Sequence, residues 1–381
     1  MDVIFILFIL GLGFLFLQSF RSQLSENNFQ VLRLLFFYHF LFGVYFCFFV
    51  FGDAIGYWNH AKVMTEQQFL SSITESQGTF FIFALNYIPS SVLGLSYLSG
   101  TMLYSLIGFI GFTYFFITAV TLIPGNPRYR GYDLFPALFF LPNLHFWSCG
   151  VGKDTLLFFC IGIFVHGLMK PYRRLPLLIV ALTLAYLVRP HIVLMMLLGF
   201  GIAYFSGKGI PLFRRVLFFS AMLGLAVVLL PLVLKFSKIE EASIDSFSKF
   251  SNAKASVLSG AHARSAVDIS SYPFPLKVFT FLYRPTFIDI TGIPAALAAL
   301  ENLLLLALTV TFLRNRPLHY FRQAPFVIQG MIYFLIIGTL LFSQSLGNLG
   351  ITIRMRNMFL PGMIIFFLWY YALPKEAPSK A

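Results

Sequence analysis

Residues 31–51 read VLRLLFFYHFLFGVYFCFFVF, and Gly52–Lys62 follow as Gly-Asp-Ala-Ile-Gly-Tyr-Trp-Asn-His-Ala-Lys. A helix needs about 20 mostly apolar residues to cross the hydrocarbon core of a bilayer, and the first stretch supplies them. Asp53 then stands where that helix leaves the membrane, with Tyr57, Trp58 and His60 just beyond it. Tyrosine and tryptophan settle at the headgroup level, and an aspartate at a helix start caps free N–H groups. That is the plain structural reading. The other is a carboxylate placed at the membrane edge to take a proton. The remaining charges weigh on the choice by where they fall.

The 381 residues are 59% hydrophobic and 11% charged, with a mean hydropathy of +0.83. Long apolar runs recur from end to end, so the chain reads as an all-α polytopic integral membrane protein. Forty-nine Phe and 18 Tyr offer aromatic surface to lipid tails or to a lipid-linked ligand. Cys47, Cys149 and Cys160 match no metal or redox spacing. Residues 1–20 lack a basic start and a small-residue cleavage site, so they read as a first membrane helix and not as a signal peptide.

Helices are expected near 3–20, 31–52, 99–122, 134–148, 154–169, 175–189, 191–206, 216–235, 292–313, 325–343 and 357–373, about 11 transmembrane helices in one domain spanning 1–381. Residues 53–98 form a first outer loop whose part from Phe80 to Gly100 is apolar but broken by Asn86, Pro89, Ser90 and Ser91. Such a segment is interfacial or re-entrant, with its backbone covered by protein. A long outer loop fills 236–291. Alternate loops hold Arg21, Arg33, Arg128, Arg130, Lys170, Arg173, Arg174, Lys208, Arg214, Arg215, Arg314, Arg316, Arg322, Lys375 and Lys380 against Glu26, Asp133 and Glu376, a net charge of +12 out of the total +13. Short cytoplasmic loops carry such an excess. The N-terminus is therefore expected outside and the C-terminus in the cytoplasm, in the inner (plasma) membrane. The positive charge reads as a topology signal and not as a footprint for nucleic acid.

In that topology the Asp53 loop, the stretch His145–Asp154, the break Arg189-Pro190-His191, the segment Tyr283-Arg284-Pro285 and Arg354-Met355-Arg356 all face outward, and Glu301 lies about two turns inside its helix. Gly152-Lys153-Asp154-Thr155 is not a phosphate loop, because Trp147 stands where the first glycine is required. Taken singly, Lys153 with Asp154 could be a surface pair, Arg189 could snorkel to headgroups, and Arg354 and Arg356 could be anchors. Taken together they break the rule that short outer loops avoid Lys and Arg. Ionisable groups at such positions are functional hypotheses by default.

A cluster of cations at the outer headgroup level suits a phosphate or pyrophosphate. A carboxylate beside it suits proton abstraction from a hydroxyl, and an aromatic-lined groove suits an isoprenoid chain. These are the parts required to move a sugar off a lipid-phosphate carrier, where cations stabilise the charge on the departing phosphate. Asp53 is the expected general base, and Asp154 a second acid that positions the acceptor or a divalent cation. Lys153, Arg189, Arg284, Arg354 and Arg356 are the expected phosphate ligands, with His60 and His191 as secondary polar contacts.

Asp53, Tyr57 and His60 after an early outward helix resemble the first-loop acidic motif of the GT-C superfamily of polyprenyl-phosphate-sugar glycosyltransferases. Arg354-Met355-Arg356 with Pro361 is similar to the Arg-rich start of a late helix in bacterial members and in O-antigen-polymerase-like membrane proteins. Pro142, Phe146-Trp147-Ser148, Lys153-Asp154, Tyr283-Arg284-Pro285 and Glu301 resemble segments of membrane proteins assigned to exopolysaccharide synthesis. The resemblance implies a polyprenyl-phosphate-linked saccharide donor, a saccharide or glycolipid acceptor, and chemistry on the extracytoplasmic face. Many members carry two adjacent acids in the first loop. Here Ala54 follows Asp53, and Asp154 is the candidate second acid. Many also carry a large soluble C-terminal domain, and none is apparent in this sequence. The rivals are an O-antigen polymerase or ligase, a lipid-linked saccharide transporter or flippase, and a scaffold in a polysaccharide export complex.

Overall fold

The computed structural model describes residues 1–50, 52–75, 77–207, 211–237, 244–258, 265–269 and 271–374. Lys208, Glu240, Glu241, Lys375, Glu376 and Lys380 lie outside these, as do parts of the expected outer loop 236–291. The chain is mostly helical. In order come α1 (Asp2–Gln18), α2 (Glu26–Phe49), α3 (Asp53–Val63), α4 (Glu66–Glu75), α5 (Thr79–Tyr87) and α6 (Tyr97–Leu122). A two-residue hairpin follows, β1 (Arg128–Tyr129) and β2 (Tyr132–Asp133). Then come α7 (Pro142–Phe146), α8 (Lys153–Leu168), α9 (Leu175–Val188), α10 (Pro190–Ser206), α11 (Leu212–Ser237) and α12 (Ile244–Leu258). The chain goes on with α13 (Phe274–Tyr283), α14 (Ile293–Leu313), α15 (Pro317–Gln323), α16 (Phe326–Phe342), α17 (Leu349–Arg356) and α18 (Leu360–Ala372).

Among the described residues, α2, α6, α11 and α14 are long and apolar enough to cross a membrane, and α17 with α18, bent by 59° at their break, makes a fifth. The other apolar helices are shorter; α1, α10 and α16 have 17 residues each. Seventeen residues rise roughly 26 Å, a little under the hydrocarbon thickness of about 30 Å. Length thus gives four to five spans where the apolar runs suggested about 11. The exterior is apolar as well: α11 exposes Phe213, Leu217, Val227 and Val228. A soluble domain seldom leaves so continuous an apolar face uncovered.

The interior is built on α6. Ser96 caps its start by accepting the N–H of Ser99, and α8 runs beside it in the same direction. A Cβ at Gly108 would strike the carbonyl of Ser148, and one at Gly162 would strike the backbone of Gly111. Small residues let the backbones approach closely, the usual device of helix pairs in membranes. Asp2, at the start of α1, accepts the N–H of Ser96 at 2.8 Å and the hydroxyl of Ser99 at 2.5 Å, tying the first helix to the same end of α6.

The expected helix at 134–148 does not form. The segment is instead a 3₁₀ turn (Ala137–Phe140) followed by five-residue α7. Pro136 and Pro142 are the cause: proline lacks an N–H and disfavours helical geometry in the residue before it, and Leu141 is extended. The segment nevertheless runs back along α6. Phe135 lies 5.6 Å from Phe116, Phe139 5.6 Å from Phe112, and Ser105 donates to the carbonyl of Cys149 at 3.1 Å. Irregular backbone at this depth is tolerated because protein covers it. The apolar stretch from Phe80 is likewise α5 running into a π-helical turn at Ile88–Val92, packed against α3 and α6.

Candidate functional site

Four helix ends meet at one place. Asp53 is the first residue of α3, directly after α2. Lys153 and Asp154 open α8, where Gly152 at φ 146° makes the entry turn, a geometry that favours glycine. Arg189 lies between α9 and α10, with Pro190 as the first residue of the second helix, the position where proline's missing N–H costs nothing. Arg354 is in the last turn of α17.

Arg354 bridges two carboxylates. Its Nε donates to Asp154 Oδ2, and its Nη1 lies 3.0 Å from Asp53 Oδ2. The other Asp154 oxygen stands 3.2 Å from Arg189 Nη1, an ion pair whose angle falls short of a hydrogen bond. The acids differ in access: the Asp53 side chain is 62% exposed and that of Asp154 10%. Asp154 is therefore committed to orienting two guanidinium groups, and the start of α8 adds a favourable dipole for its charge. Asp53 faces solvent. Lys153 Nζ donates to Thr79 Oγ1 at 2.8 Å and lies 5.8 Å from the centre of the Tyr57 ring. Lys254 on α12 lies over the Phe250 ring, and burial and the charge of Arg189 lower its pKa below the usual lysine range. Arg354, Arg189 and Lys153 against Asp53 and Asp154 leave an excess of positive charge at this spot.

Not every expected ligand is here. His60 stacks on Phe83 with ring centres 4.0 Å apart. His191, two residues from Arg189, stays beside the cluster within reach of the charges of Arg189, Lys254 and Lys153, with the rings of Phe236 and Phe342 each 6.1 Å from its own. Arg284 forms a two-pronged ion pair with Asp289 (3.1 and 2.5 Å) and reaches the Tyr272 hydroxyl at 3.3 Å. Arg356, 2% exposed, turns inward: it donates to the carbonyls of Leu282 and Phe281 and, at 2.6 Å, to Asn302. Met355 separates the two arginines, and on a helix successive side chains diverge. One faces the site, and the other fastens α17 to α13 and α14.

Two cavities adjoin the cluster. A small one of about 150 Å³ is lined by Asp53, Gly152, Asp154, Arg354 and Trp147. A groove of about 780 Å³ lies between α2, α7, α14 and α17, walled by Tyr38, Phe42, Tyr45, Phe146 and Trp147, with Glu301 and Asn143 among its polar groups. Trp147 borders both. Glu301 accepts the backbone N–H of Asn143 at 3.0 Å and its side-chain amide at 2.5 Å, supplying the start of α7 with a partner. A divalent cation does not fit the carboxylate pair, because the Arg354 guanidinium occupies the space between Asp53 and Asp154. Among the described residues no three His, Cys, Asp or Glu side chains converge.

Lys254, Thr79, Asn143 and Trp147 were not singled out as site residues from the sequence. Lys254 sits in a polar stretch where one lysine looks like another. Asn143 could have been suspected from Pro142, which starts a helix needing partners, together with Glu301 in an apolar helix. Comparison with protein-family models, curated proteins and solved structures finds no match for this chain.

Proposed function

We propose that this chain is a polytopic membrane glycosyltransferase of GT-C type, transferring a sugar or oligosaccharide from a polyprenyl-(pyro)phosphate carrier in cell-surface polysaccharide synthesis. The observation that carries the reading is the meeting of Asp53, Asp154, Arg189 and Arg354, from four distant parts of the chain, at the mouth of one cavity. An excess of positive charge at the headgroup level suits a lipid phosphate. In this reading the site faces outward in the inner membrane, with the N-terminus outside and the C-terminus cytoplasmic. Helices α1, α8, α9, α10 and α16 cross as shortened segments beside the long ones, and residues 134–152 return as the broken crossing.

Asp53 takes the proton of an acceptor hydroxyl. The acceptor oxygen bonds to the anomeric carbon, and the bond from that carbon to the phosphate oxygen breaks. The electron pair leaves with the phosphate, which Arg354, Arg189 and Lys153 hold. Asp154 keeps the two arginines in place. A second reading has one observation in its favour: Arg354 already occupies Asp53, which suits a polymerase or ligase that relies on arginines and needs no first-loop base. Asp53→Asn separates the two. It preserves shape but cannot accept the proton, so turnover of lipid-linked saccharide by purified protein in lipid should fall about 10²–10⁴-fold, with lipid-phosphate binding retained. Full turnover in that variant would leave Asp53 a helix cap and favour the polymerase or ligase.

A further inference from the structure

We infer that the 780 Å³ groove seats the saccharide acceptor, with Glu301 and Asn143 binding its hydroxyls and Trp147 placing it beside Asp53. The role of acceptor rests on the glycosyl-transfer reading; the binding of a saccharide does not. The groove has the size of a small-ligand site, and its lining, apolar over most of its area, gathers a carboxyl and an amide at one place, Glu301 and Asn143. Glu301 is 5% exposed and Asn143 8% exposed, and a polar pair facing only alkyl groups would forfeit its hydration without return. The backbone N–H of Asn143 requires only one acceptor, which glutamine would provide; the second oxygen of Glu301 serves the Asn143 side chain. Each carboxylate oxygen takes one bond from Asn143, and a second lone pair on each is left for a ligand donor. The groove also has an aromatic wall: Tyr45 and Phe146 are 6.1 Å apart and Phe146 and Trp147 4.7 Å apart. Flat rings meet the C–H face of a pyranose while a carboxylate and an amide take its hydroxyls. At the rim, Arg284 and Asp289 satisfy each other and leave no net charge, which suits a neutral ligand better than an anion. The phosphate cluster is thereby kept apart from the hydroxyl-binding groove, and Trp147 is the residue they share.

The test uses the purified full chain in nanodiscs free of glycolipid, titrated calorimetrically with four separate probes: N-acetylglucosamine disaccharide, galactose disaccharide, farnesol and inorganic pyrophosphate. At least one disaccharide should bind saturably. Glu301→Gln, which keeps an acceptor for the backbone N–H of Asn143, should weaken it about tenfold, the worth of one lost hydrogen bond. Trp147→Ala and Tyr45→Ala, in the aromatic wall, should weaken it too, so the test survives if the Glu301 variant fails to fold. Pyrophosphate binding should persist in Glu301→Gln and Tyr45→Ala and be lost in Arg354→Gln. Absence of saturable disaccharide binding, or variants that bind it as the parent does, overturns the inference. So does farnesol occupying the groove in a Trp147-dependent way. Loss of pyrophosphate binding in the unaltered protein instead overturns the phosphate reading, and disaccharide binding is judged separately.

Discussion

Arg354 and Arg356 are two residues apart and have opposite surroundings. Arg354 bridges Asp53 and Asp154 at the cavity mouth; Arg356 is sealed among Leu282, Phe281 and Asn302. Arg356→Met fills similar volume but leaves those carbonyls unpaired, and a buried acceptor left unsatisfied costs about 1–3 kcal/mol. Its thermal unfolding in detergent should drop accordingly, while pyrophosphate binding per folded molecule stays as it was. A loss of that binding without a loss of stability would return Arg356 to the phosphate site. Asp289 supports a pH prediction. Burial alone would raise its pKa, but the Arg284 guanidinium and the N–H and hydroxyl of Thr286 outweigh it, so the folded value lies below the usual carboxylate range. Its contribution is therefore complete above the ordinary value of about 4 and is lost as pH falls through the lower, folded one. The protection factor of the Thr286 amide, its exchange rate taken relative to the intrinsic rate at each pH, should fall in acid in the parent protein, and in Asp289→Asn it should be low at neutral pH already.

At the scale of elements, two glycines predict opposite outcomes. Gly56 lies inside α3 with nothing near its missing side chain. Gly56→Ala should stabilise that helix by about 1 kcal/mol, visible as a raised unfolding temperature. Gly162 faces the backbone of Gly111 where α8 meets α6. Gly162→Leu should cost about 1–3 kcal/mol or more as overpacking, and it should also weaken pyrophosphate binding, since α8 carries Lys153 and Asp154. If both variants unfold like the parent, the close crossing of α6 and α8 is wrong. The broken crossing at 134–148 follows the same logic of backbone partners. Two prolines remove helical hydrogen bonds, and Asn143 recovers one from Glu301 on a distant helix.

For the whole molecule, the ends that meet at the ion pairs are the end of α2 and starts of α3 and α8, the end of α9 and start of α10, and the junction of α17 with α18. At the opposite end, Arg174 Nη1 reaches the His166 carbonyl at 2.7 Å, and Tyr129 lies 5.4 Å from Tyr371. The basic loops 128–130 and 173–174 fall at this second end. A reporter inserted after Arg174 or Arg215 should therefore read as cytoplasmic, and one after Asn252 or Thr291 as outside. The reverse pattern would put the ion-pair cluster in the cytoplasm and end the glycosyl-transfer proposal.

Apolar run length by itself determined that this chain is mostly helical with segments that could span a membrane, and where the long apolar helices lie to within a few residues. These properties are local or follow from the partition of side chains between water and lipid, so they are legible one segment at a time. Asp53, Lys153, Asp154, Arg189 and Arg354 could be picked out for the same reason, as charges where lipid-facing segments avoid them. Only the tertiary structure decided which of the picked residues meet. Arg354 was separated from Arg356 by the rotation of α17, and Arg284 from the cluster by its own partner Asp289. The residues 134–148 became a broken crossing because a glutamate 158 positions away from Asn143 was there to take its N–H. Partners this far apart in sequence are chosen by packing, and periodicity carries no record of that choice.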